Sequence, residues 1–228
     1  LRHRDRLLAS SIVQSGPAEI CGERRSSSWA RDQHLFFCIR FSRKATLVAD
    51  ASDSTKAVLA IAPDAAPLVV KVGISAVSIE GARKNLEAEL PGWDFDAVRR
   101  AAHDDWSRSL GVIEAEAPPA ERKMFYTALY HAMMGPTLFE DVDGRYRGPD
   151  NAVHTAEGFR FHSTFSLWDT FRAEHPLLNL VRPAEQNADF VRSLIASQQE
   201  SPYGILPVWQ FQGQETWTMI GYHAVPVI

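Results

Sequence analysis

The stretch from Lys71 to Asp96, KVGISAVSIEGARKNLEAELPGWDFD, changes its hydrophobic period midway, and that change decides how the chain is built. Val70, Val72, Ile74 and Ala76 share one side of a two-residue alternation, with Lys71, Gly73 and Ser75 opposite, which is the pattern of a β-strand. Val77 and Ile79 continue on the other parity, so a bulge or bend is expected there. Past Gly81 the residues Ala82, Leu86 and Leu90 recur every four positions, as on one face of a helix, until Pro91-Gly92 breaks it. A strand-built region therefore hands over to a helical one near residue 81.

Upstream the signal is extended. Leu35, Phe37, Ile39 and Phe41 alternate with His34, Phe36, Cys38 and Arg40, Lys56 to Ile61 is a second short run, and Pro63 and Pro67 punctuate the strands. Residues 1 to about 30 are rich in Arg and Ser and read as poorly ordered or loop. Downstream, Asp94 is placed to cap a helix carrying Phe95, Val98, Ala102 and Trp106 on one stripe. Pro118-Pro119 opens another, with Met124, Phe125, Ala128, Leu129, Ala132 and Met133 on its apolar face. Asp143-Gly144 signals a tight turn, a helix through Leu167 to Phe171 is expected to be interrupted by Pro176, and Ala184 to Gln199 has the cleanest amphipathic pattern. The second half thus reads as all-helical with long loops.

Composition narrows the function classes. The 228 residues suffice for one or two domains with a core, hydrophobic residues make up 45% and charged residues 23%. A net charge of −4 recommends neither nucleic acid nor an anionic membrane as partner. No apolar run approaches the roughly 18 residues that span a bilayer. Cys21 and Cys38 have no metal-ligand spacing and do not demand a disulfide framework; Cys38, in an apolar run, reads as a buried thiol. The chain opens at Leu1 without a signal-peptide pattern and closes on the apolar Val225-Pro-Val-Ile228, so an internal fragment of a larger protein is expected.

Two stretches carry chemistry: Phe165-Ser-Leu-Trp-Asp-Thr170 and Trp209-Gln-Phe-Gln-Gly-Gln-Glu-Thr-Trp-Thr-Met-Ile-Gly-Tyr-His223. Each sets a carboxylate beside a tryptophan. A flat ring stacks on the apolar C–H face of a pyranose, and a carboxylate accepts hydrogen bonds from its hydroxyls. The competing explanation makes the tryptophans core and the acids helix caps. On residues alone, Asp169 and Glu215 could also be an acid–base pair, since inverting glycosidases hold two carboxyls roughly 6.5–9.5 Å apart. Ser163-Thr-Phe-Ser166 is better explained by helix capping than by nucleophilic attack. Asp141-Val-Asp-Gly144 lacks the ligands of a twelve-residue calcium loop and reads as a turn.

These stretches, with FEDVDGRYRG before them and the Lys71–Asp96 segment, resemble glycoside hydrolase family 92, the calcium-dependent exo-acting α-mannosidases. The resemblance is good from about Lys71 onward. It implies an α+β multidomain fragment: the tail of a β-sandwich over 1–81, a helical linker over 82–117 and, over 118–228, the first helices of an (α/α)6 catalytic barrel. It implies hydrolysis of terminal α-mannose from mannose-containing glycans with inversion, a Ca2+ requirement, and a secreted or periplasmic location. Asp169 matches the aspartate that hydrogen-bonds the terminal mannose. Trp168 stacks there or packs behind it, Glu215 is expected at the pocket as a sugar contact or the partner of a basic side chain, and His223 is either a substrate contact or structural. The catalytic acid, base and metal ligands are expected beyond Ile228. Two other classes stay open: an α-glucosidase- or trehalase-like enzyme using Asp169 or Glu215 catalytically, and a non-catalytic sugar-binding protein using Trp168, Asp169 and Trp217.

Overall fold

The computed structural model describes residues 5–48 and 54–228. Strands β1 (Arg6–Gly16), β2 (Glu19–Ser27), β3 (Gln33–Phe41), β4 (Ala45–Val48), β5 (Val58–Ile61) and β6 (Val70–Ser75) come first. Helices α1 (Ile79–Glu89), α2 (Phe95–Leu110) and α3 (Pro119–Ala132) follow, then short strands β7 (Thr137–Leu138), β8 (Arg145–Arg147), β9 (Val153–Thr155), β10 (His162–Ser163) and β11 (Phe165–Ser166). Helices α4 (Leu167–Thr170), α5 (Glu174–Val181) and α6 (Ala184–Glu200) precede β12 (Trp209–Phe211) and β13 (Gln214–Glu215). The chain divides into two compact units: Leu1–Phe95 with Glu140–Arg147 and Val153–Thr155, and Asp96–Phe139 with Gly148–Ala152 and Ala156–Ile228.

In the first unit an antiparallel sheet has the order β1-β2-β3-β6, and the ribbon β4-β5 packs on one end of it through Ile20, Phe41, Ala45, Leu59 and Ile61. Residues 6–27, expected as loop, are instead two long strands. Two of their arginines are matched: Arg24 grips Asp5 with two bonds of 2.6 and 2.9 Å, and Arg25 pairs with Asp32. The thiol expectation is corrected as well. Cys21 and Cys38 stand directly opposite each other on β2 and β3 and form a disulfide with a Cα–Cα distance of 4.1 Å. The sulfurs lie buried beneath Ala82 of α1, which covers this face of the sheet.

Helix α1 starts earlier than its apolar period suggests, because Ser78 accepts the Gly81 N–H at 3.0 Å and caps it. Gly81 lies inside the helix, and the reason is close approach. A Cβ there would stand 2.1 Å from Asp141 Oδ2 and 2.7 Å from Ser75 Oγ. Asp141 is 3% exposed and accepts the Ser75 hydroxyl and the Asn85 side-chain amide, each at 2.8 Å. Burial pushes its carboxyl above the ordinary range, against the pull of these two donors. The turn expected at Asp143-Gly144 is present, with Gly144 at φ 78° and its N–H on the Asp141 carbonyl at 2.8 Å.

The second unit is not all-helical, since β7 pairs with β10, and β11, β12 and β13 form a sheet. Its core is Phe165, Leu167, Leu178, Phe190, Leu194 and Ala224. Pro176 opens rather than interrupts a helix: it sits in the first turn of α5, where its missing N–H would have no partner inside the helix. The stripe predicted for α2 forms, but α2 buries none of its residues, and Trp106 meets Tyr130 of α3 edge-on at 4.5 Å. Among the described residues no helix is long and apolar enough to cross a membrane.

Candidate functional site

The three-stranded sheet explains why two stretches distant in sequence converge. Ser166 pairs with Trp209 and Phe165 with Gln210, while Gln210 pairs with Glu215 and Phe211 with Gln214. Between β12 and β13 lie only Gln212 and Gly213, at φ 49° and 79°, the two positive angles of a tight hairpin that follows strand twist. Two buried groups fix that hairpin: Ser163 Oγ accepts the Gly213 N–H at 2.9 Å, and the Gln210 amide donates to Ser197 Oγ at 2.7 Å and the Gly213 carbonyl at 3.1 Å. Ser163 therefore braces the hairpin, a role with no sequence signal beyond its hydroxyl.

Asp169 sits in the single turn of α4, directly after β11, and is exposed. The Ser166 hydroxyl donates to its Oδ2, so this serine orients a carboxylate instead of capping the helix as expected. Trp168 beside it is also exposed. Glu174, at the start of α5, carries a carboxyl raised by burial; Arg182 pulls it down and the Asp169 charge pushes it up.

Glu215 is held by the backbone. Its partners are backbone amides, not a basic side chain: Oε2 accepts from Val208 at 2.6 Å and Trp209 at 3.2 Å, and Oε1 from Trp217 at 2.9 Å. His223 is half-buried and stacks on Phe171 with ring centroids 4.3 Å apart and planes 20° from parallel. Asp169, Trp168, Glu215 and His223 all belong to the second unit, around one sheet and the helix that leaves it. Concavities of about 220 and 240 Å3 flank Met133 and Arg182 and are lined by none of the four. Arg182, which lines both hollows, bonds the Met133 carbonyl at 2.6 Å, so it serves the packing there.

Calcium needs six to eight oxygen ligands. Among the described residues the only group of three acidic, cysteine or histidine ligands is Glu19 with Cys21 and Cys38, two of which are tied in a disulfide. Asp141 is satisfied by Ser75 and Asn85, and Asp143 pairs with Lys84 and Arg145. These residues do not fit a calcium cage.

The model of the glycosyl hydrolase family 92 catalytic domain matches residues 81–228. The structure of the family GH92 α-mannosidase BT3965 from Bacteroides thetaiotaomicron, also solved in complex with mannoimidazole, superposes with a TM-score of 0.86 at 37% identity over 96% of this chain. The inverting mannosidase BT2199 of the same organism matches with a TM-score of 0.81 at 25% identity over 96% of the chain. An uncharacterized secreted glycosidase of Arthroderma benhamiae is 31% identical over 107 residues, 45% of this chain and 13% of its own length. The chain spans about a third of the length of the two mannosidases, 32% in each case.

Proposed function

Because the chain belongs to glycosyl hydrolase family 92, we propose that it is the substrate-contact portion of an exo-acting α-mannosidase that removes terminal α-mannose from glycans with inversion. The observation that carries this is Asp169. It is an exposed carboxylate with one oxygen held by Ser166, beside exposed Trp168, at the end of a strand in register with Trp209. Such a carboxylate keeps lone pairs for the vicinal hydroxyls of a sugar, and the indole offers an apolar face. Glu215 shapes this edge through the backbone, which disfavours it as a proton-transfer group. His223 supports Phe171 at the exit of α4.

The helices from α3 onward are read as the opening of an (α/α)6 barrel, and the β1–β6 region as the tail of a β-sandwich. The acid, the base and the calcium ligands are expected in the part of the relatives' length that this chain does not span. Calcium, when bound there, would polarise sugar hydroxyls; this chain's own residues bind and orient the ring. An extracytoplasmic location is supported by the buried Cys21–Cys38 disulfide, since such bonds persist in oxidising compartments, and by a relative described as secreted.

The test is hydrolysis of aryl α-mannoside and aryl α-glucoside by the full-length parent, with and without a calcium chelator. Mannoside turnover that the chelator abolishes is the expected result. Preference for the glucoside would overturn the mannose assignment. The 228-residue chain alone is expected to turn over neither, and activity from it would sink its proposed role as a contact portion.

A further inference from the structure

Trp217 is held in a conformation that folding alone does not explain. Its φ of 59° lies in the left-handed region, which costs a residue with a Cβ roughly 1–2 kcal/mol. That cost is not recovered by burying the ring, which remains 47% exposed. What holds the angle is the Glu215 carboxylate, which takes the Trp217 N–H on one oxygen and the Val208 and Trp209 N–H groups on the other. Thr216 fastens the same turn to the Trp209 carbonyl, through its N–H at 3.1 Å and its hydroxyl at 2.8 Å.

The ring so presented is not alone. Tyr203, 59% exposed, meets it edge-to-face with centroids 5.1 Å apart and planes at 85°. Two aromatic walls at a right angle form a corner, and the Thr216 and Thr218 hydroxyls, 2.8 Å apart, supply exposed polar atoms beside it. A corner of this kind suits a pyranose, with its C–H face on one ring, its edge on the other and its hydroxyls toward the threonines. An acyl chain would leave the hydroxyl pair unused. Two strand spacings, about 10 Å, separate the backbones of β11 and β13. That offset sets the corner to meet a different sugar from the one at Asp169.

We propose that Tyr203 and Trp217 form a stacking subsite for a second pyranose of the glycan, with Glu215 as the residue that positions Trp217. This rests on the glycan reading given above and names the part of the substrate it leaves unassigned. The test is isothermal titration or NMR titration of the 228-residue chain with methyl α-mannoside and with α-mannobiose. Trp217→Ala is expected to weaken mannobiose binding about tenfold, a loss of about 1.4 kcal/mol, while leaving the methyl mannoside unchanged. Trp217→Phe should restore most of the loss, because a flat ring is restored. Asp169→Ala should weaken both sugars, and Glu215→Ala should imitate Trp217→Ala.

Mannobiose bound equally by the Trp217→Ala variant would overturn the subsite and leave the mannosidase reading intact, whereas a wild-type chain that binds no pyranoside would overturn the subsite and the substrate-contact role together. Binding of maltose instead of mannobiose, lost in Trp217→Ala, would uphold the subsite and overturn the mannose assignment. The two failures are therefore separable. Trp217 and Asp169 are exposed, so their variants are expected to fold, and an unchanged amide spectrum outside the hairpin verifies it for them and for Glu215→Ala.

Discussion

Two carboxylate corners, one in each unit, are built on opposite principles. In the first, Asp141 is almost wholly buried, both its oxygens are taken by side-chain donors, and Gly81 stands against it without a Cβ. In the second, Asp169 is exposed, held by one serine, and flanked by an exposed tryptophan. The first has spent its hydrogen-bonding capacity inside the fold; the second has kept it. A carboxylate's sequence neighbourhood does not separate these cases, since each has an aliphatic–aromatic pair just before it, Leu138-Phe139 and Leu167-Trp168. Burial and partners do.

The sharpest way to break this comparison is at Asp169. Asp169→Ala in the full-length parent should lower kcat/KM on aryl α-mannoside by at least about a thousandfold, roughly 4 kcal/mol of transition-state binding. Its urea midpoint should not move, because exposed substitutions away from buried networks stay within about 0.5 kcal/mol. A large stability loss with ordinary activity would reverse the roles assigned to the two corners.

Asp141→Ala should show the opposite profile. It strips the Ser75 hydroxyl and the Asn85 amide of their acceptor, and hydrogen bonds to a buried charged group are worth about 1.5–3 kcal/mol each. A loss of about 3 kcal/mol is expected in chemical denaturation of this chain, less if solvent reaches the vacated site.

A third test concerns acid. His175 is buried between Phe165, on which it stacks, and Phe190, and burial lowers its pKa to about 4. The unfolded chain therefore binds a proton that the folded chain refuses between about pH 6.5 and pH 4, so this contribution is fully present above 6.5 and is lost as pH falls. By pH 4.5 the loss should reach about 2–3 kcal/mol. Unfolding of wild type and His175→Phe at pH 7 and 4.5 measures it: the wild type should lose more, and equal losses would remove His175 from the account.

The smallest effect should come from Gly81→Ala, at about 1–2 kcal/mol of overpacking. Because the clash is with the Asp141 carboxylate, the penalty should shrink when Asp141→Ala is also present. Simple additivity would mean that the close approach is not what keeps glycine there.

Regular repetition is what made parts of the fold legible. The β3 alternation and the α1 and α6 periods each report a covered face; the β6 alternation marks a strand, but its apolar side, Val70, Val72 and Ile74, is exposed while Lys71, Gly73 and Ser75 are buried. Strands β1 and β2 were hidden because their arginines and serines look like a solvated tail until partners are known, and Asp5 lies 19 residues from Arg24. The disulfide was hidden for the same reason: it depends on the register that places Cys21 opposite Cys38. At the candidate site, the aromatic–acid motif marked Trp168, Asp169 and Glu215 at once. That Glu215 faces backbone amides could not be read, because nothing in Gly-Gln-Glu-Thr says where the chain doubles back. Tyr203 sits in a Ser-Pro-Tyr-Gly loop with no acid beside it, so only its meeting with Trp217 draws notice.

Helix α2 has a practical consequence at the bench. It carries Arg99, Arg100 and Arg108 on a surface where none of its side chains is buried, and a helix of that length held by little more than the Trp106–Tyr130 contact opens readily in water. A brief trypsin digest should therefore cut there first and release fragments that part at Arg99, Arg100 or Arg108. Arg192, on α6 with Phe190 and Leu194 packed in the core, should outlast them.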